Sequence, residues 1–87
     1  MSKVKEIIER IEGQIEITIL DLENEKRKAK FFLEFIQEDF AADAEPEKII
    51  EKTNEFKRAM AQIGSFQKKL EMLNGQLETF RTLERGE

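Results

Sequence analysis

Few residues in this sequence could carry out covalent chemistry. Serine occurs only at Ser2 and Ser65, and histidine and cysteine are absent. Ser65 stands in Ile63-Gly64-Ser65-Phe66 with no imidazole to take its proton, and a serine hydroxyl is a weak nucleophile without such a base. The missing cysteine removes the thiolate nucleophile, the disulfide and the zinc finger. The missing histidine removes the usual general base and the commonest transition-metal ligand. The most regular array of potential metal ligands is the ladder Glu6, Glu9, Glu12 and Glu16. Its spacing puts the carboxylates on one helix face, but di-metal sites in helix bundles add histidines to such a set. Beside Lys3, Lys5 and Arg10, the ladder reads as a solvated face, with no EF-hand loop to specify calcium. Neither the Gly-x-x-x-x-Gly-Lys loop nor the Gly-x-Gly-x-x-Gly fingerprint occurs, so no phosphate cradle is written here. The expectation is a chain without catalytic, cofactor-binding or metal-binding residues, and therefore not an enzyme.

The chemistry that remains is recognition, and two groups of residues could supply it. Phe31 and Phe35 are four apart and so neighbours on one helical face. With Phe40, Ile17 and Leu20 they form a set of apolar anchors for a protein partner. Lys26, Arg27, Lys28, Lys30, Lys57 and Arg58 form a second set, a basic belt. Glu23, Glu25, Glu34, Glu51 and Glu55 stand close enough in sequence to neutralise part of it. A nucleic-acid binder normally presents a basic domain with aromatic rings for stacking. This chain has 15 Lys and Arg against 19 Asp and Glu, a net charge of −4, and no Tyr or Trp. Nucleic acid is thus the weaker of the two expectations.

Helices must position both groups. The chain has 87 residues, 39% hydrophobic and 39% charged, with ten Ile, seven Leu and seven Phe set among Glu, Lys, Gln and Arg. That is one small domain with a core, rich in straight-chain helix formers. The sole proline lies in Asp39-Phe40-Ala41-Ala42-Asp43-Ala44-Glu45-Pro46. Proline suits the first turn of a helix and damages its interior, so one helix ends near residue 40 and the next begins near residue 45, with Asp43 or Glu45 as its cap. The first stripe runs Val4, Ile8, Ile11, Ile15, Ile19, Leu22, Ala29, Leu33, Ile36 and Phe40, with a polar slot near Lys26. The second runs Ile49, Thr53, Phe56, Met60, Ile63, Phe66, Leu70, Leu73, Leu77, Phe80 and Leu83. Steps of three and four mark helices, and an average near 3.5 marks a coiled coil.

The reading is all-α, a single domain over residues 1–87. A helix over about 3–40, an acidic turn over about 41–45 and a helix over about 45–84 make a long antiparallel helical hairpin. Two local signals compete with it. Ile15-Glu16-Ile17-Thr18-Ile19-Leu20-Asp21-Leu22 alternates as a strand does, which allows an α+β alternative with a β-hairpin at about 15–36. Asn74-Gly75 favours a turn or a helix end, so the second helix could kink or break at Gly75. Gly64, with Ala59 and Ala61, suggests a close helix approach or a small bend.

The apolar positions outnumber what one seam can cover, with Ile7, Ile17, Leu20, Ile50, Phe31 and Phe35 left over. Exposed apolar surface of that extent marks an interface. The expected partners are a second copy of the chain, completing a four-helix bundle, or another protein. The functional expectation is a small adaptor, regulator, inhibitor or chaperone-like binder. The alternatives are a nucleic-acid-associated regulator using the belt and a structural assembly subunit. The N-terminal residues meet charge at once, which is not the pattern of a signal peptide, and no run approaches the roughly 18 apolar residues of a membrane span. The default expectation is a cytoplasmic protein.

Overall fold

A computed structural model describes residues 2–86. Helix α1 spans Lys3–Ala41 and helix α2 spans Pro46–Gly86. They fold back on each other as a hairpin with extents of 65 × 15 × 13 Å. Among the described residues there is no strand, and α1 runs without interruption through residues 15–36, which overturns the β-hairpin alternative. Alternation at Ile15, Ile17 and Ile19 loses to the good helix formers on either side and to the absence of a turn between the two proposed strands. Gly75 is likewise interior to α2, with an ordinary helical backbone. The break that Asn74-Gly75 allowed does not occur: Leu73 and Leu77 on both sides are buried on one face, and their packing outweighs the roughly 1 kcal/mol preference against glycine.

The ends are set by local chemistry. Ser2 caps α1, its side chain accepting from the Lys5 backbone N–H at 3.2 Å, which satisfies one of the donors that the first turn leaves free. At the other end the Ala42 N–H donates to the Glu38 carbonyl, Asp43 N–H to Phe40 and Ala44 N–H to Asp39 at 2.9 Å. The last two are the paired bonds of a Schellman motif, which needs a left-handed residue after the cap. Asp43 supplies it, with φ of 55°. The expectation that Asp43 caps α2 is therefore corrected: its conformation terminates α1. Glu45 opens α2 instead, its carbonyl accepting from Lys48 and Ile49, and Pro46 takes the first helical position, where its missing N–H costs nothing.

The core is a single seam between the helices. One cluster joins Ile8 and Ile11 to Leu73 and Leu77, with Val4, Ile7, Ile15 and Phe80 packed on it, so Ile7 is not left over from the seam as its position suggested. The other joins Leu22 and Ala29 to Ala59 and Ile63, with Phe56, Phe66 and Leu70. On α1 the seam runs 4, 8, 11, 15, 18, 22, 25, 29, 32, 36 and 39, with steps alternating between four and three, and half-buried Ile7, Gly13 and Phe35 lie beside it. On α2 the seam runs 49, 52, 56, 59, 63, 66, 70, 73, 77 and 80 in the same rhythm.

That seam departs from the expected stripes at defined places. Thr18 is 1% exposed while Ile19 is 41% exposed. The threonine fits because its hydroxyl donates to the Gln14 carbonyl one turn back, at 2.7 Å, and so leaves no unmade bond in the core. The polar slot belongs to half-buried Glu25, which pairs with Lys28. Ala59 is buried and Met60 exposed, and Leu33, Phe40 and Leu83 are also exposed. Gly64 has no neighbour within 4 Å of a Cβ placed on it, so the hairpin itself does not require a glycine there. No helix among the described residues is long and apolar enough to cross a membrane.

Candidate interaction surfaces

A helix turns about 100° per residue, so positions seven apart lie almost in line along its length. Because the seam repeats every seven residues, the surface resolves into stripes, and the hairpin presents two flanks where the helices meet. The aromatic flank carries Phe35, Lys28 and Phe31 of α1 beside Glu55 and Arg58 of α2. The lysine flank carries Lys26, Leu33 and Phe40 of α1 beside Met60 and Lys57 of α2. Cross-helix contacts fix both assignments. Lys28, Phe32, Glu55, Arg58 and Gln62 line one shallow groove. On the other side Arg81 reaches Glu12 at 3.5 Å, and Phe40 shares a groove of about 320 Å³ with Pro46, Ile49 and Ile50.

The aromatic flank is prearranged. The Phe31 and Phe35 rings stand edge to face with centroids 4.6 Å apart, and Phe32 meets Phe31 at 6.5 Å. Edge-to-face contact places the positive rim of one ring on the negative face of the other. Phe35 is half-buried, and the Lys52 ammonium lies 4.9 Å from its ring centroid. That ammonium also donates to Asp39 at 2.6 Å. Asp39 and Lys52 both occupy seam positions, so an ion pair closes the core next to the turn. Phe31 remains 57% exposed and lines a groove of about 730 Å³ with Asp21, Asn24, Lys28 and Phe66.

The five expected anchors do not form one face. Ile17 and Leu20 are about 60% exposed. They continue the Phe31 stripe toward the open end of the hairpin, with Asn24 and Arg27 between. Phe40, 67% exposed, stands five residues from Phe35 and hence on the other flank. The helical spacing of Phe31 and Phe35 identified their pairing. The separation of Phe40 needed the register of the two helices.

The basic belt is also divided. Lys28 pairs with Glu25 at 3.4 Å, Arg58 pairs with Glu55 at 2.6 Å, and Arg27 donates to the Asn24 side chain at 3.1 Å. Lys26, Lys30 and Lys57 lie on the lysine flank and make no ion pair among the described residues. The Glu ladder is exposed throughout, with Glu12 held by Arg81. The sequence places Lys52 beside the belt and Asp39 before the turn, but not the ion pair between them. The available signal was the seven-residue rhythm continued through polar residues.

Comparison with protein-family models, curated proteins and solved structures finds no match for this chain. The surfaces themselves carry the functional argument.

Proposed function

We propose that the chain is a non-enzymatic protein–protein interaction module that docks a partner on its aromatic flank and also associates with itself. One observation carries this reading. The hairpin buries eight apolar side chains, yet ten large ones, Ile17, Leu20, Phe31, Phe40 and Ile50 among them, are between 41% and 67% exposed. Scattered apolar residues are ordinary on a surface, but here they outnumber the core. The seven-residue rhythm supports reading the hairpin as a short antiparallel coiled coil, stiff enough to hold such anchors in place. Phe31 and Phe35, locked edge to face, have the rigidity and area of interface anchors. The groove beside them suits the apolar ridge of a partner helix. The surrounding charges set partner choice and encounter rate more than affinity.

The test compares partner retention by the wild type and by the double variant Phe31→Ala/Phe35→Ala, with folding checked by circular dichroism. Loss of a reproducible partner in a variant that stays helical is the expected outcome. A folded variant that keeps the same partners refutes the aromatic flank as the docking surface. The belt gives less support to nucleic acid, since Lys28 and Arg58 are neutralised within the hairpin. No salt-dependent gel shift is expected, although phosphate contacts would produce a steep one.

A further inference from the structure

We propose that the lysine flank is the self-association surface, and that two copies pack on it antiparallel about a two-fold axis near Ile19, Met60 and Gly64. The proposal deepens the interaction-module reading by naming one partner, a second copy of this chain, and its geometry.

Charge is distributed unevenly along this flank. On α1, Lys5, Glu12, Ile19, Lys26, Leu33 and Phe40 form one stripe, and Glu9, Glu16, Glu23 and Lys30 form the next. On α2 the matching stripe is Ile50, Lys57, Gly64, Glu71 and Glu78. The half near the turn holds Lys26, Lys30 and Lys57, three cations without an ion-pair partner among the described residues, against Glu23 close to the middle. The half near the open end holds Glu9, Glu12, Glu16, Glu71 and Glu78 against Lys5 and Arg81. Of those five carboxylates only Glu12 has an ion-pair partner, Arg81.

The packing register turns this polarity into self-complementarity. Ile8 and Ile11 cluster with Leu73 and Leu77, and Leu22 and Ala29 cluster with Ala59 and Ile63. Gly64 is therefore near the middle of the hairpin, level with Asp21 of α1. A two-fold axis there carries Lys26 and Lys30 of one copy to Glu16 and Glu12 of the other, and Lys57 to Glu71. Each contact occurs twice, as an isologous interface demands. Exposed Ile19 and Met60 flank the axis, and Gly64 offers no side chain to keep the copies apart, while nothing inside the hairpin uses that space. A parallel arrangement on the same flank would set lysines on lysines and glutamates on glutamates, and like charges brought together reject that geometry. The antiparallel dimer leaves the two Phe31 and Phe35 flanks on opposite outer faces, so it would be bivalent for an aromatic-flank partner.

The experiment uses two charge-reversal triples of the full chain, Lys26→Glu/Lys30→Glu/Lys57→Glu and Glu12→Lys/Glu16→Lys/Glu71→Lys, studied by sedimentation equilibrium alone and mixed. Every position is exposed, and circular dichroism confirms folding. Each triple alone is expected to weaken dimerisation on the order of 100-fold. The mixture should recover a 1:1 dimer, because every reversed contact then meets its opposite. The control Lys48→Glu/Lys68→Glu/Lys69→Glu makes the same change in net charge away from this flank and should leave dimerisation unchanged. In a chain without native cysteine, Gly64→Cys should form a disulfide-linked dimer under mild oxidation, and Met72→Cys on the other side should not. A dimer indifferent to both triples, an equal effect from the control, or cross-linking through Met72→Cys overturns the proposal. A wild type that stays monomeric at all concentrations also overturns it. The aromatic flank would still stand or fall on the Phe31→Ala/Phe35→Ala comparison.

Discussion

At the scale of single residues, the most consequential group is the polar set beside the turn. Lys52 sits at a seam position, donates to Asp39 and lies over the Phe35 ring, with side-chain exposures of 30% for Lys52 and 17% for Asp39. A partly buried pair gains less than its Coulomb attraction because both charges give up water. Removing one partner, however, strands the other in a half-dry site. Lys52→Ala and Asp39→Ala should each cost about 1 to 2 kcal/mol, and the double variant should cost clearly less than their sum. Replacing both with leucine should be near neutral. Urea denaturation of the four-variant cycle measures this without adding salt. Strictly additive losses would mean that the pair contributes nothing as a pair. The same residues link the proposed recognition surface to folding, since the ammonium that closes the seam also lies over the ring of Phe35.

At the scale of the element, each helix depends on one narrow stripe. Leu73 is 2% exposed and its chain neighbour Met72 is 54% exposed. Leu73→Ala should therefore cost about 2 to 5 kcal/mol through lost burial and the cavity left behind. Met72→Ala should stay within about 0.5 kcal/mol. Comparable losses at both sites would show that a second surface of α2 is buried in solution. Gly75 makes the complementary case. It lies on the exposed side of α2, and a Cβ there meets nothing within 4 Å. Gly75→Ala should raise stability by about 0.5 to 1 kcal/mol, read as a higher midpoint in thermal or urea unfolding. A loss of stability at this site would reveal a break that only glycine can serve.

At the scale of the whole molecule, 87 residues are drawn out into a rod 65 Å long. A two-helix rod can shelter only its seam, and small domains bury the smallest share of their surface. Ten exposed large apolar side chains follow from that geometry. Association should consequently stabilise the folded chain, because anything that binds only the folded state shifts unfolding by mass action. The thermal midpoint should rise by several degrees across a hundredfold increase in protein concentration, and the triple Lys26→Glu/Lys30→Glu/Lys57→Glu should abolish that rise. A midpoint independent of concentration in the wild type would remove self-association from the account.

Much of this was legible in the residues. Helix formers in every segment, steps of three and four, and one proline-bearing break determined two helices and a hairpin, because each is a short-range property of the chain. The Phe31 and Phe35 pair was equally local. The seam was a different matter. Stepping from Ile15 to Leu22 through Thr18 or through Ile19 satisfies a helical period equally well, and hydrophobicity favours Ile19; the structure seats Thr18. The same choice arises at Ala59 against Met60. Only the facing helix decides it, through a seven-residue register that must hold along the full length of both partners. That register also drew Lys52 and Asp39 together, separated Phe40 from Phe31 and Phe35, and sorted the lysines into paired and unpaired sets. The sequence determined which residues want burial or charge partners. Tertiary packing decided which obtained them, because a seam one residue wide on each helix cannot cover them all.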